Sequence, residues 1–358
     1  MKAQKNDDGR RLDRIVRKVY PNLPLSAVYK LFRSKKITVN GEPFPPGAHV
    51  YEGDEILVLT SCDLAPAAAS REEAKTGAKN KAPPSGRRSV YKKLNVILET
   101  KDLLFVNKNP SQNVHGGESL TSFVLEYLRD KTAPSLSFTP GPLHRLDFET
   151  SGAVAFSKTL AGAREFSDSL KKKHIKKTYI CILQGVLKKK TVWRDLLVRD
   201  KNQKKTFFDN DAASLTAPDY KTGTGKFALS AALPLALSKD GSFTLAAVRI
   251  YTGRTHQIRA QAARRGLPLA GDKKYGGDNL RLQKSKTLNP PFFLHAASME
   301  IPASLLKDPP KSPKNEPFDA SIIEAQAPSG FVTAVKALFP GFETECFLEK
   351  QVFNQRFL

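Results

Sequence analysis

The chain has 358 residues, enough for two domains, and its 58 Lys+Arg against 35 Asp+Glu give a formal net charge of +23. Folding does not need that excess, which favours polyanionic partners and nucleic acid first, because neutralised phosphates release counterions. Three scattered cysteines exclude a disulfide framework, no apolar run nears the roughly 20 residues of a bilayer span, and the N-terminus lacks a secretory core. A cytoplasmic protein without membrane contact is therefore expected.

Residues 1–9 read as a flexible tail. From 10 to 60, RRLDRIVRKVYPNL sets Leu12, Ile15, Val16 and Val19 at helical spacing with basic residues on the other face. A second helix is predicted from Ser26, a good N-cap, through SAVYKLFRSKK. ITVNGEPF alternates up to an Asn40–Gly41 turn, and HVYEGDEILVL yields two more short strands. Arg11, Arg14, Lys30, Arg33, Lys35 and Lys36 concentrate on the helices and make candidate RNA contacts; a merely solvated basic face is the other reading. The zone resembles the S4 RNA-binding domain through RRLD, the basic second helix, and VNG followed by GDEI.

From 61 to 91 Ala, Lys, Pro, Ser and Gly replace the large apolar residues, which predicts a flexible linker. The zone from 92 to 358 has strand-like runs in VILETKDLLFVNK, GAVAFSKT, TYICILQGVL, FTLAAVRIYT and FFLHAASMEI. Helical patterns fall in LTSFVLEYLRD and LAGAREFSDSLKKK. Strands outnumber helices and short links join them. An α+β fold is expected, with flanking helices on a mainly antiparallel mixed sheet. The stretch Lys201–Lys226 reads as including a long surface loop.

No GxGxxG, P-loop or GxSxG elbow is present, and His and Cys nowhere take metal-ligand spacing, so neither cofactor nor metal is expected. The unusual segment is GPLHRLDFETSGAVAFSKT, Gly141 to Thr159, where His144, Arg145, Asp147, Glu149, Thr150 and Ser151 run into an apolar strand. Spacing alone leaves two readings open: catalytic groups mounted on a rigid strand, or an ordinary polar turn.

HRLDFETSG resembles the HRLDxxTSG signature of the pseudouridine synthases of the ribosomal large-subunit type. YTGRTHQIRAQAARRGLPLAGDKKYGG (Tyr251 to Gly277), FVNKNPSQNVHGG (Phe105 to Gly117) and FLHAASMEIP (Phe293 to Pro302) match further blocks of that family in its order. The resemblance implies isomerisation of uridine to pseudouridine in RNA, most of all large-subunit (23S) ribosomal RNA or its precursor particle, by a monomer without a cofactor. It assigns catalysis to Asp147, Tyr179 (in K-x-Y) and Arg259 (last of GRTHQIR), with Arg145 helping to displace the flipped nucleotide. Arg254 is a further candidate RNA contact.

These residue types suit the chemistry implied. A stacked uridine must leave its stack, at a cost of a few kcal/mol, and the planar guanidinium of Arg145 can fill the space it leaves. A charged Asp147 can attack the sugar carbon or take its 2′ proton, and a guanidinium such as Arg259 would offset the cost of burying that charge. Tyr179 can stack on uracil and serve as base for the last proton. Two departures stand out: Asn107–Lys108–Asn109–Pro110–Ser111 where the family often reads NKPxG, and Gln261 where His is common. A non-catalytic RNA-binding or ribosome-assembly factor, and an RNA glycosidase, are the rival functions.

Overall fold

A computed structural model describes residues 1–59, 94–200, 205–208, 225–278, 292–306 and 322–342. The linker expected at 61–91 lies outside the described residues, as does most of the stretch 201–226.

The N-terminal unit contains β1 (Arg10–Arg11), α1 (Leu12–Val19), α2 (Leu25–Arg33), β2 (Ile37–Val39), β3 (Glu42–Pro43), β4 (His49–Val50) and β5 (Ile56–Val58). The apolar stripe of α1 (Leu12, Ile15, Val16, Val19) packs on Val28 and Phe32 of α2 and on Ile37, Val39 and Ile56 of the β3-β2-β5 sheet. Asn40 and Gly41 both take positive φ (53° and 87°), as a two-residue hairpin turn requires. Helix α2 starts one position before Ser26. Pro24 is its N-cap, with its fixed φ of −56° and its carbonyl accepting from Val28 N–H.

Residues 1–9 are not a flexible tail. The Met1 ammonium donates to the Ile56 carbonyl at 2.7 Å, Lys2 pairs with Glu55, and Ala3 N–H donates to the Asp54 carbonyl. Asp7 is fully buried and accepts from Ser135 Oγ–H (2.7 Å), Leu136 N–H (2.8 Å), and the N–H and Oγ–H of Ser137 (both 3.0 Å). The carboxylate thus draws its donors from the loop ahead of the motif segment and fixes the N-terminal unit against the rest of the chain. Lone polar anchors of this kind have no periodicity, so the segment reads as a tail in sequence.

The second unit contains β6 (Val96–Glu99), β7 (Leu103–Lys108), α3 (Leu120–Leu128), β8 (Gly141–Pro142), β9 (Ser151–Ser157), α4 (Leu160–Lys171), β10 (Lys176–Gln184) and β11 (Thr191–Asp200). It continues through β12 (Lys205–Phe208), β13 (Lys226–Leu237), β14 (Phe243–Ile250), α5 (Gln257–Arg264), β15 (Leu294–Glu300), β16 (Ile322–Glu324) and α6 (Ser329–Leu338). Among the described residues eleven strands form one sheet in the order β12-β11-β13-β14-β10-β15-β9-β7-β6, with β16 on β15 and β8 on β9. Every pairing is antiparallel except β9 with β15. The α+β class and the mainly antiparallel sheet agree with the sequence reading. Strand β12 falls inside the stretch expected to hold a surface loop, and β11, β13, α5 and α6 go beyond the elements that periodicity marks.

The parallel pairing positions the motif segment. Gly152 lies opposite Ala296 with φ of +117°, and a Cβ there would overlap the Ala296 backbone. Only glycine lets β9 enter the sheet at this point, which explains the residue that closes the TSG triplet. Beside it Ser151 Oγ–H donates to His295 Nδ1 (2.9 Å), and His295 Nε2–H donates to the Ala325 carbonyl (2.9 Å). Burial lowers His295 to about 4, so the ring is neutral, with one acceptor and one donor nitrogen.

Candidate active site

Asp147 sits in the loop of residues 143–150 between β8 and β9, where Thr150 N–H closes a turn on its carbonyl at 3.1 Å. The loop is anchored from below by Lys108, the last residue of β7. That side chain is completely buried, and its ammonium donates to the carbonyls of Asn109 (2.9 Å), Gln112 (2.8 Å) and Phe148 (2.8 Å). Three carbonyls take all three N–H groups and join two loops that sequence keeps 40 residues apart. Burial pulls Lys108 down to about 7, against the raising charges of Glu149 and Asp147. His144 anchors the other side. Its Nε2 accepts from Ala155 N–H at 3.1 Å, its ring stacks on Phe166, and burial followed by the charge of Lys177 holds it well below the ordinary value.

Across from the loop, α5 presents Arg259. Its Nε and Nη2 donate to Asp272 at 2.7 and 2.8 Å, and its Nη1 lies 3.4 Å from Asp147 Oδ2. Its guanidinium carbon is 4.3 Å from the Phe292 ring centroid and 5.0 Å from that of Tyr275. Burial works against the charge on Arg259, but the Asp272 hydrogen bonds and the charges of Asp272 and Asp147 outweigh it and raise its value. The side chain is therefore a fixed cation whose remaining fork edge faces Asp147.

His256 Nε2 is 3.9 Å from the same Asp147 oxygen, yet it is no second cation. Burial, then Arg259 and other nearby cations, lower it to about 4 against the pull of Asp147. Tyr275 Oη accepts from Thr206 N–H at 2.9 Å and lies 2.9 Å from His256 Nδ1. The phenol O–H then donates to Nδ1, which puts the imidazole proton on Nε2, toward Asp147.

Tyr179 lies on β10 where the register against β15 shifts between Thr178 and Ile180, an irregularity that re-aims its side chain. Its ring lines the same pocket as Asp147, while burial and then the Asp147 charge push its phenol well above the ordinary range. Burial thus favours the neutral phenol.

Arg145, Asp147, Tyr179, Arg254 and Arg259 all line this one pocket, although two loops, a strand and a helix far apart along the chain supply them. The six basic residues expected to contact RNA on the N-terminal unit (Arg11, Arg14, Lys30, Arg33, Lys35 and Lys36) are all exposed there and do not line the pocket. Arg11 is partly occupied by a salt bridge to Asp13 at 3.0 Å.

Four residues of the site carry no assignment from sequence: Asp272, Tyr275, Lys108 and His256. The first two stand in the GD and YG pairs of the Tyr251–Gly277 block, and their pairing with Arg259 and His256 is long-range. Thr150 Oγ1 is buried without a hydrogen-bond partner, in a residue that lines the pocket. Among the described residues, no three His, Cys, Asp or Glu side chains are placed to hold a metal ion, and no helix is long and apolar enough to cross a membrane.

Residues 102–264 match the family described as RNA pseudouridylate synthase. The ribosomal large subunit pseudouridine synthase C of Buchnera aphidicola subsp. Acyrthosiphon pisum is 30% identical over 276 residues, covering 75% of this chain and 78% of that protein. The chain belongs to the RNA pseudouridylate synthase family. The like-named protein of Rickettsia bellii is 29% identical over 295 residues, 81% of this chain and 89% of that one. Among solved structures, the human RNA pseudouridylate synthase domain containing 4 is similar over 68% of this chain and 92% of that chain, at 20% identity and a TM-score of 0.49.

Both departures from the synthase motifs are accounted for locally. Gln261 points away from the pocket into a buried polar hub, accepting from Ser230 Oγ–H (2.8 Å) and donating to Asp195 (2.7 Å) and the Trp193 carbonyl (3.2 Å). It ties α5 to β11 and β13. Ser111 takes a positive φ of 58° and donates to Glu149 at 2.6 Å, which links its loop to the Asp147 loop.

Proposed function

We propose that this synthase isomerises uridines in large-subunit ribosomal RNA, with Asp147 as the catalytic carboxylate. The observation that carries the reading is the Asp147 oxygen in a pocket, 3.4 Å from a guanidinium that Asp272 holds in place. The reaction breaks the bond from the sugar carbon to N1, turns the uracil, and joins C5 to the same carbon; the C5 proton leaves and N1 gains one. A charged carboxylate serves as nucleophile on the sugar carbon or as base on its 2′ proton, and Arg259 stabilises it in either role.

Tyr179 offers a buried aromatic face for the flipped uracil, and its protonated hydroxyl is a donor. Arg145 is exposed at the rim beside Asp147, where it can occupy the gap that the flipped nucleotide leaves in the RNA stack. Arg254 at the same rim, and Arg11, Arg14, Lys30, Arg33, Lys35 and Lys36 on the N-terminal unit, are the proposed phosphate contacts. The unit of residues 10–60 acts as an S4-like RNA-binding domain, that of 92–358 as the catalytic domain, and the protein works as a cytoplasmic monomer. The relatives' names, which specify the ribosomal large subunit, support the choice of RNA.

The test maps pseudouridine in total RNA from cells with and without the protein, then after complementation with wild type or Asp147→Ala. Large-subunit sites that vanish, and return with wild type alone, are the expected result. Unchanged sites in every RNA class overturn the reading.

A further inference from the structure

Arg254 is shared by two cavities. One is the pocket of Asp147; the other is a cleft of about 380 Å³ on its far side. Arg199 near the end of β11 and Lys226 at the start of β13 line this second cleft with Arg254, and no acidic side chain does. All three cations are exposed, and among the described residues no carboxylate pairs with them. Arg254 is held in place, since its Nε donates to the Phe227 carbonyl at 2.8 Å, which leaves its outer fork directed elsewhere.

The floor of the cleft is joined to the catalytic pocket. Thr206 Oγ1–H donates to the Thr255 carbonyl at 2.9 Å, and Thr206 N–H donates to Tyr275 Oη at 2.9 Å. Tyr275 in turn bonds His256 and packs its ring under Arg259. The two cavities therefore share a braced wall. Positive charge accumulates along it: beside the cleft Lys274 is held below its ordinary value by desolvation first, then by Arg259, Arg199 and Lys205. Arg199, Lys226 and Arg254, without a carboxylate partner among the described residues, stand next to the Asp147 pocket, where an anion that arrives with the base would meet them. When a nucleotide turns into a pocket, its own backbone and that of its neighbour stay at the rim.

We propose that this cleft is a phosphate subsite, in which Arg199, Lys226 and Arg254 take phosphodiesters of the RNA strand adjoining the nucleotide in the Asp147 pocket. The inference rests on the RNA reading above and adds the direction in which the strand leaves the site. An acidic protein segment is the competing occupant.

The test compares full-length wild type with Arg199→Gln/Lys226→Gln. A control, Lys188→Gln/Lys189→Gln, removes equal charge at exposed positions just before the other end of β11. Each protein is checked for an unchanged unfolding midpoint. Binding to a transcript of bacterial 23S ribosomal RNA is measured against salt, and turnover by release of tritium from C5-labelled uridines. The cleft variant is expected to raise KM about tenfold with kcat within twofold. It should also flatten the log–log salt slope by about 1.4, or about 0.7 for each single-strand phosphate no longer neutralised. The control leaves the slope unchanged. An unmoved slope in the cleft variant, or equal changes in both variants, overturns the subsite. Absence of tritium release by wild type bears on the synthase substrate alone, because the salt slope still reads the cleft.

Discussion

Asp272 holds Arg259 by two hydrogen bonds, from Nε at 2.7 Å and from Nη2 at 2.8 Å, and that grip aims Nη1 at Asp147. The carboxylate of Asp272 is 1% exposed, so the pair is insulated from water and each charge depends on the other. Asp272→Asn leaves a buried guanidinium without its counter-ion. Stability is expected to fall by about 3 kcal/mol or more in denaturant unfolding. Turnover of protein that remains folded should drop about 10²-fold, because Arg259 loses its aim. Wild-type kcat in Asp272→Asn would show that the grip does not position the site.

Lys108 makes stability depend on pH in a known direction. Its folded-state value of about 7 lies below the unfolded value of about 10.5, so between them the unfolded chain binds more protons. The Lys108 contribution therefore rises with pH through that window, by at most about 1.4 kcal/mol per pH unit, and levels off below it. Denaturant unfolding of wild type and Lys108→Met at pH 7, 8 and 9 reads the difference. A gap between the two proteins that stays constant over those pH values rejects the assignment.

Gly152 admits no side chain. An added Cβ overlaps the Ala296 backbone, and φ of +117° is strained for any L residue. Gly152→Ala is expected to destabilise by about 3 kcal/mol or more and to disturb the Asp147 loop, which enters β9 at this point. The unfolding midpoint is the measurement, and a shift of under about 1 °C would contradict the packing described.

Asp7 is an anchor between the two units, beside Asn6, which donates to the Ala133 carbonyl, and Arg164, which donates to the Asp8 and Gly9 carbonyls. Asp7→Ala leaves the Leu136 N–H without its acceptor and the Ser137 N–H with Ser135 Oγ alone, at 3.2 Å, and should loosen the N-terminal unit. The expected signature is faster hydrogen exchange at residues 135–138 and a higher KM for RNA, with kcat preserved. If exchange there stays at the wild-type rate, the anchor is not what docks the unit.

Thr150 carries a buried hydroxyl that the free protein does not use. Thr150→Val removes it at nearly constant volume, so stability should stay level or rise slightly, since no hydrogen bond is broken. If RNA supplies the missing partner, KM or kcat worsens about tenfold, the equivalent of about 1.4 kcal/mol. A variant with wild-type kinetics would show that the hydroxyl stays idle in the complex as well.

Elements with local signals were legible before any folding was considered. The α1 stripe, the Asn40–Gly41 hairpin, the apolar strands β9, β10, β14 and β15, and the excess of positive charge all follow from spacing and composition. The motif resemblance named Asp147, Tyr179, Arg259 and Arg145, and the fold places all four around one pocket together with Arg254. What joins distant parts of the chain emerged only from the folded molecule: Asp272 on Arg259, Lys108 under the Asp147 loop, Asp7 in the 135–137 loop, and Arg199 with Lys226 beside Arg254. Each is a polar or charged residue whose meaning lies in a partner far along the chain. Periodicity reports which face of an element is apolar, but a hydrogen bond or ion pair exists only once the backbone has brought donor and acceptor within about 3 Å.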